Sequence, residues 1–165
     1  DIKILTNLAN NAGYKAKLIN AIYEVNQGRL IYLLEKIKKV YPRLYGKKIG
    51  ILGLTYKPNT NTLRRSRSIE LANLLATKKA EIRGFDPAIR KQNLKSLKIV
   101  TSYQELLENL DLLILMTQWP QFRKIDPKTA SSLMAEKIII DTRNFLDRQK
   151  YIDNGFIYFG RGKGE

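Results

Sequence analysis

Residues 47–66 constrain the fold of this chain more than any other segment. The segment begins with the apolar run IGIL at 49–52, which is typical of a buried strand. A polar turn rich in Gly, Pro, Asn and Thr follows and carries Lys57, Arg64 and Arg65 ahead of an apolar helix pattern. The N-terminus of a helix attracts anions through its unpaired N–H groups and partial positive charge. The order strand, cationic turn and helix therefore predicts a phosphate-binding corner.

Composition limits the chemistry that the chain can carry. Its 165 residues include neither cysteine nor histidine, which excludes disulfides, thiolate zinc sites, a thiol nucleophile and an imidazole base within these residues. For the same reason we expect no bound metal. We also expect no membrane association, since no apolar run approaches the roughly 18 residues of a membrane span. The lack of cysteine and of a visible signal peptide favours a cytoplasmic protein. Because the chain begins at Asp1 without Met, we expect it to be part of something longer.

The net charge of +15 admits two kinds of anionic partner. One interpretation is a basic nucleic-acid-binding α/β module. The other is an anionic small molecule, with the remaining lysines and arginines solvated on helix surfaces. The predicted strands lack the interleaved aromatic side chains of nucleic-acid readers, so we expect a small molecule and keep nucleic acid as the alternative.

Residues 1–46 form a predicted helical segment. A first helix is expected over 1–10, and apolar residues at helical spacing predict a long amphipathic helix over 16–41. At 1.5 Å per residue such a helix is about 39 Å long, which suits a bridge between domains or pairing with a second copy. Gly28 marks a kink, a close helix approach or a loop that divides two shorter helices.

From residue 47 to 165 the pattern alternates between strand and helix, which predicts a second domain. Short connections between apolar strands favour βαβ units and a Rossmann-like, doubly wound, mostly parallel sheet after the long N-terminal helix. Strands are expected at 48–52, 80–85, 99–100, 112–116, 137–141 and 155–159, the last of them at an edge. Helices are expected at 66–78, 103–110 and 127–135.

Ligands of such sheets bind outside the carboxyl ends of the strands, where the strand order reverses. Residues that directly follow predicted strands are Tyr56, Lys57, Asn59, Thr60, Arg64, Asp86, Pro87, Thr117, Gln118, Trp119, Asp141, Thr142, Arg143 and Asn144. Lys57 and Arg64 are either anion ligands or solvated cations, and Arg143 either reaches a ligand or pairs with Asp141. Asp86 is either a turn former or a ribose partner. We expect Trp119 to fill the core edge in preference to stacking on a base.

The glycine pattern does not support a dinucleotide site of the usual kind. Gly50 and Gly53 lie inside the apolar pattern of the first strand, and no G-x-G-x-x-G motif is present. The residues alone therefore predict a basic α/β domain with a phosphate-bearing ligand, preceded by a long helix.

The ordered motifs resemble those of one family. GLTYKPNTNTLRRS at 53–66 resembles the segment G-L-x-F-K-x-x-T-x-D-x-R-x-S that opens the C-terminal, UDP-binding domain of the UDP-glucose/GDP-mannose dehydrogenases. Further motifs follow in the same order, namely FDP at 85–87, TQW at 117–119, DTRN at 141–144 and YFGR at 158–161. AIYEVNQ at 21–27 resembles the central helix that precedes this domain, so the resemblance covers nearly the whole chain.

The resemblance implies a function. Members of the family oxidise the C6 alcohol of a nucleotide sugar to a carboxylate, reduce two NAD molecules and form thiohemiacetal and thioester intermediates on a cysteine. It implies that this chain is the C-terminal part of an NAD-dependent UDP-sugar 6-dehydrogenase of the UDP-glucose type. Such an enzyme serves polysaccharide biosynthesis and dimerises through the long helix, and this part alone is expected to be inactive. A GDP-mannose or UDP-N-acetylmannosamine type is the alternative within the family.

The resemblance also implies roles for individual residues. Tyr56, Lys57 and Arg143 are expected to bind the nucleotide sugar, and Arg64 to contact the NAD pyrophosphate. Asp1 matches the last residue of the family's C-F-P-K-D motif and is expected to assist the chemistry near a nucleophilic cysteine four residues upstream. Four positions that are commonly acidic in the family are not acidic here, namely Asn61, Thr62, Arg65 and Gln118. The turn is therefore more basic than the family pattern.

Overall fold

The computed structural model describes residues 2–90 and 92–162. The chain divides into two compact units, Asp1–Arg43 and Leu44–Glu165, and each is described by itself.

The first unit consists of two helices that pack against each other, α1 at Ile2–Asn11 and α2 at Lys17–Val40. The long helix expected over 16–41 is confirmed, and Gly28 lies within it without a break, so the division into two shorter helices is wrong. The apolar side chains near the start of α2 are largely exposed, with Leu18 at 75% and Val25 at 62%. The apolar side chains in this half of the helix therefore lie on the surface of the chain.

The second unit is built on a seven-stranded sheet in the order β3-β4-β2-β1-β5-β6-β7. The strands are β1 Lys48–Leu52, β2 Glu81–Phe85, β3 Gln92–Leu94, β4 Leu97–Ile99, β5 Leu112–Leu115, β6 Ile138–Asp141 and β7 Ile157–Gly160. All neighbours run parallel except β3, which pairs antiparallel with β4 at one edge. Since β1 lies between β2 and β5, the strand order reverses there, and the predicted Rossmann-like sheet is confirmed.

Short helices connect these strands. They are α3 Arg67–Ala76, α4 Tyr103–Leu107, α5 Pro127–Leu133 and α6 Arg148–Asp153, with a 3-10 helix at Pro120–Lys124. Side-chain oxygens of four residues cap the helix N-termini by accepting backbone N–H groups, namely Ser66, Ser102, Asp126 and Asp147. The predicted helices and strands differ from the observed ones by up to three residues at their ends, whereas β3, α6 and the 3-10 helix were not predicted.

Burial explains why the central strands read as unbroken apolar runs. Every described residue of β5 and β6 is buried, as expected for parallel strands with both faces covered by other elements. Trp119 and Phe122 belong to an apolar core cluster of this unit, so the expectation that Trp119 fills the core edge is confirmed.

Candidate functional site

The carboxyl ends of four parallel strands bring the predicted site residues to one side of the sheet. Residues 53–66 follow β1, 86–88 follow β2, 116–119 follow β5 and 142–146 follow β6. We call these four segments together the carboxyl edge. It includes the point between β1 and β5 where the strand order reverses, so it is the place where a sheet of this kind binds its ligand.

Asp86, directly after β2, is buried and ties three of these segments together. Its Oδ2 accepts hydrogen bonds from the backbone N–H groups of Leu54 and Thr55 at 2.7 and 2.9 Å. The same oxygen accepts from the Thr55 hydroxyl at 2.9 Å and from the Trp119 indole N–H at 3.0 Å. Its Oδ1 accepts from the backbone N–H of Ala88 at 3.0 Å. Because protein donors occupy both oxygens, the structure favours Asp86 as a turn former over Asp86 as a ribose partner.

Gly53 lies where the segments after β1 and β5 approach each other closely. Its φ of +87° lies in the left-handed region, and a Cβ added there would lie 2.5 Å from the backbone oxygen of Thr117. The Thr117 hydroxyl also donates to the backbone oxygen of Thr55 at 2.7 Å. The segments after β1 and β5 therefore contact each other directly. With Asp86 turned inward as well, the residues at this point do not fit a dinucleotide.

The segment after β1 presents an aromatic ring and cations to solvent. Tyr56 is 58% exposed, and Lys57 and Arg64 are exposed too. The loop closes on itself, because the backbone N–H of Tyr56 donates to the Thr62 carbonyl at 3.2 Å and the Thr60 hydroxyl donates to the Lys57 carbonyl at 2.9 Å. These contacts define the path of the backbone that carries the three side chains.

The start of α3 holds the far end of the same loop. The hydroxyl of Ser66 donates to the Leu54 carbonyl, and the hydroxyl of Ser68 donates to the Gly53 carbonyl at 2.7 Å. Both serines are buried. The helix N-terminus is thereby fastened to the end of β1, so the cationic loop is anchored at both of its ends.

Arg143, after β6, provides the cation on the other side of β5. It is exposed, and its Nε donates to the backbone oxygen of Met116 at 2.7 Å. Asp141 accepts the backbone N–H of Arg143 at 2.8 Å, so the two residues meet through the main chain of Arg143. The guanidinium is thus fastened to the end of β5.

The structure brings most of the predicted site residues to one edge. Tyr56, Lys57 and Arg64 share a single loop, and Arg143 lies after β6, with β5 between them. Asp1 lies outside the described residues. The sequence analysis names Tyr56 but not its neighbour Thr55. Thr55 was missed because nothing in the local sequence indicates that its hydroxyl contacts Asp86 and Trp119.

The chemistry that this edge supports is binding of an anion. Its outward cations suit phosphate oxygens, and charge-assisted hydrogen bonds of this kind are among the strongest that proteins make. Within residues 2–90 and 92–162, no group of three or more acidic side chains could hold a metal ion. No helix in the same part of the chain is long and apolar enough to cross a membrane.

The sequence matches a described protein family. Residues 50–148 match the family described as the UDP-glucose/GDP-mannose dehydrogenase family, UDP binding domain. The UDP-glucose 6-dehydrogenase TuaD of Bacillus subtilis is 28% identical over 167 residues, which cover 99% of this chain and 36% of that protein.

Two solved structures share both the fold and part of the sequence. A UDP-glucose dehydrogenase of Pyrobaculum islandicum superposes with a TM-score of 0.78 at 28% identity, over 94% of this chain and 34% of that one. The UDP-D-ManNAc dehydrogenase of Pyrococcus horikoshii superposes with a TM-score of 0.77 at 26% identity, over 92% of this chain and 35% of that one. The chain therefore spans about a third of the length of each of these three relatives.

Proposed function

Since the chain belongs to the UDP-glucose/GDP-mannose dehydrogenase family, we propose that it is the C-terminal part of an NAD-dependent UDP-sugar 6-dehydrogenase. The whole enzyme oxidises the C6 alcohol of a UDP-glucose-type sugar to the uronic acid, and this part binds the nucleotide. In this proposal residues 1–46 serve dimerisation and residues 47–165 form the UDP-binding domain. The name of the Pyrococcus relative keeps a UDP-N-acetylmannosamine type open as the alternative substrate, and the family name keeps GDP-mannose open.

One observation carries the proposal: the carboxyl edge places exposed cations on both sides of β5. Lys57 and Arg143 bind phosphate oxygens of the nucleotide sugar, the arginine through its fork of N–H donors. The exposed ring of Tyr56 packs against the sugar part. These residues bind and orient the substrate, and no proton transfer is assigned to them.

NAD is proposed to lie against this part without being held at its sheet. Bound NAD supplies the acceptor for the hydride that leaves the sugar. The close contact of the segments at Gly53 and the inward carboxylate of Asp86 do not fit the dinucleotide, whereas the exposed guanidinium of Arg64 fits its pyrophosphate. Arg64 is therefore proposed to contact NAD that another part of the enzyme binds. Asp1 is proposed to lie near the nucleophilic cysteine.

A homodimer through the long helix is also part of the proposal. Apolar side chains on α1 and on the first half of α2 are exposed, namely Ile4, Leu5, Leu8, Leu18, Ile22 and Val25. A second copy of the same helices has the matching apolar surface that would cover them. Light scattering at micromolar concentration should give the mass of two chains, and the mass of one chain would contradict this assignment.

Alanine substitution of the two phosphate ligands tests the proposed site. Lys57→Ala and Arg143→Ala should each weaken UDP binding by roughly 10- to 100-fold, because each removes a charge-assisted hydrogen bond worth about 1.5–3 kcal/mol. Isothermal titration of UDP into the chain measures the effect. Lys137→Ala is the matched control. Lys137 is exposed and directly precedes β6, so it lies at the amino ends of the strands, opposite the carboxyl edge. Unchanged affinity in both Lys57→Ala and Arg143→Ala would contradict the site.

The net charge of +15 favours one competing function, binding of nucleic acid. A nucleic-acid module binds random-sequence DNA with an affinity that falls steeply as salt rises, and UDP does not compete with the DNA. Displacement of such DNA by UDP, or no DNA binding at physiological salt, supports the nucleotide-sugar function instead.

A further inference from the structure

Asp141 at the end of β6 is a buried carboxylate that organises the segment carrying Arg143. It is 0% exposed, and its Oδ1 accepts the backbone N–H of Arg143 at 2.8 Å. Its Oδ2 accepts the backbone N–H groups of Phe145 and Leu146 at 2.7 and 2.9 Å. Three N–H groups of one short loop therefore converge on a single side chain. The direction of that carboxylate sets the path of residues 142–146.

Tyr158 of β7 supplies the contact that fixes this carboxylate from the neighbouring strand. Its hydroxyl donates to Asp141 Oδ2 at 2.6 Å, and the Tyr158 side chain is itself buried. Burial, and then the hydrogen bond to Asp141, raise the pKa of the Tyr158 phenol above its ordinary value. The phenol therefore keeps its proton across the physiological range and remains a permanent donor to Asp141.

A second link joins the same loop to the end of β7. The side chain of Asn144 donates to the backbone oxygen of Arg161 at 2.9 Å and accepts the backbone N–H of Arg161 at 2.8 Å. Asn144 has a φ of +50°, a conformation that asparagine tolerates better than most residues. The loop is thus fastened to β7 at a buried point and at an exposed point.

We propose that β7 positions Arg143 for nucleotide-sugar binding, with Tyr158 acting through Asp141 and the Asn144–Arg161 pair assisting. Tyr158 and Asn144 are positioning residues in this account, and Arg143 makes the contact with the ligand. The inference rests on the proposed function, because it assigns a purpose to the orientation of Arg143. The position of β7 at the edge of the sheet does not by itself indicate that this strand positions Arg143.

The physical reason is the cost of ordering a long cationic side chain on binding. An arginine binds phosphate through a planar fork of donors, so the backbone that carries it must hold a defined direction. Fixing that backbone before the ligand arrives removes part of the ordering cost. Loss of the Tyr158 hydroxyl leaves the loop bonded to Asp141 but leaves Asp141 without the donor that β7 provides.

Tyr158→Phe tests the proposal, with Tyr151→Phe as the matched control. Tyr151 is also buried, packs against Tyr158 at 6.1 Å between ring centroids and loses its hydroxyl contact to the Ile125 carbonyl in the control variant. Isothermal titration with UDP is done well below the melting temperature of each variant. Tyr158→Phe should weaken UDP binding about 3- to 10-fold. Tyr151→Phe should lower the melting temperature but leave the affinity for UDP unchanged.

Asn144→Gly is the second variant, since it acts on the exposed link and glycine accepts the same φ. It should also weaken UDP binding several-fold without the loss of core stability that Tyr158→Phe risks. Hydrogen exchange gives an independent readout: the amides of Arg143, Phe145 and Leu146 should exchange faster in Tyr158→Phe than in Tyr151→Phe.

The outcomes separate this proposal from the function on which it rests. If the unsubstituted chain binds UDP and both Tyr158→Phe and Asn144→Gly bind it equally well, the positioning role is refuted and the nucleotide-sugar site stands. Equal weakening by Tyr158→Phe and Tyr151→Phe also refutes it, because the effect is then one of general stability. If the unsubstituted chain does not bind UDP, both proposals fail.

Discussion

Asp86→Ala should lower the free energy of unfolding by about 3–5 kcal/mol, the largest effect that we expect from a single substitution. The substitution removes the acceptor of two backbone N–H groups, those of Leu54 and Thr55, and of the Trp119 indole N–H. These donors lie at buried residues, where an unpaired donor costs roughly 1–3 kcal/mol. The penalty arises because the carboxylate holds the ends of β1, β2 and β5 together.

Urea denaturation followed by tryptophan fluorescence measures this effect directly, since Trp119 is the single tryptophan of the chain and donates to Asp86. Asp86→Asn is the matched variant. Its amide oxygen can replace Oδ2, but its NH₂ group then faces the backbone N–H of Ala88, which donates to Oδ1 in the structure. We therefore expect Asn to cost clearly less than Ala. Equal stability of Asp86→Ala and the unsubstituted chain would show that the network does not stabilise the fold.

Gly53→Ala should lower the free energy of unfolding by about 2–5 kcal/mol, from left-handed strain of ~1–2 kcal/mol and overpacking of ~1–3 kcal/mol. The added methyl would lie 2.5 Å from the backbone oxygen of Thr117 and 2.7 Å from its backbone nitrogen. Backbone atoms cannot rotate away as a side-chain end can. The ends of β1 and β5 must therefore separate, at the point where the strand order reverses.

Gly46→Ala separates the two contributions in the same experiment. Gly46 has a φ of +70°, close to that of Gly53, but a Cβ added there has nothing within 4 Å. It should show the strain alone, so its loss of stability should be the smaller of the two by at least ~1 kcal/mol in urea denaturation. Equal losses at the two positions would mean that the close approach of Thr117 has no energetic consequence.

The alternation of apolar strands and helices was enough to predict the sheet. β1 was predicted at 48–52, where the structure has it, because a turn-rich segment and a charged pair bound its apolar run. β3 was missed since its three residues, Gln92–Leu94, are too few and too polar to produce a periodic signal. The six-residue α6 was missed for the same reason of length.

The direction of Asp86 could not be predicted from its own segment. A strand-end aspartate suits a ribose hydroxyl and a turn N–H equally well, and the local sequence is the same in both cases. What decides between them is the indole N–H of Trp119, which lies 33 positions away along the chain. The same holds for Asp141, whose partner Tyr158 lies 17 positions away on another strand.

The exposed positions of the cations in the candidate site were predictable for a different reason. Lys57 and Arg64 stand out because they lie in a polar turn between a buried strand and a helix, and charged residues of such a turn remain exposed in the fold. Arg143 stands out because it comes two residues after the end of a buried strand. The strand order of the sheet brings these positions to one edge. From the sequence alone, this arrangement could be expected only from the rule that ligands of parallel sheets bind at the carboxyl ends of the strands.

Titration of UDP into the ¹⁵N-labelled chain tests the central claim most directly. We expect saturable chemical-shift changes that concentrate in residues 55–66 and 142–146, with little change at the opposite edge around Lys137. Addition of inorganic phosphate at the same concentration should reproduce only part of the effect, because it lacks the nucleoside and the second phosphate. No saturable change, or changes that concentrate away from the carboxyl edge, would contradict the proposal that this edge binds a nucleotide sugar.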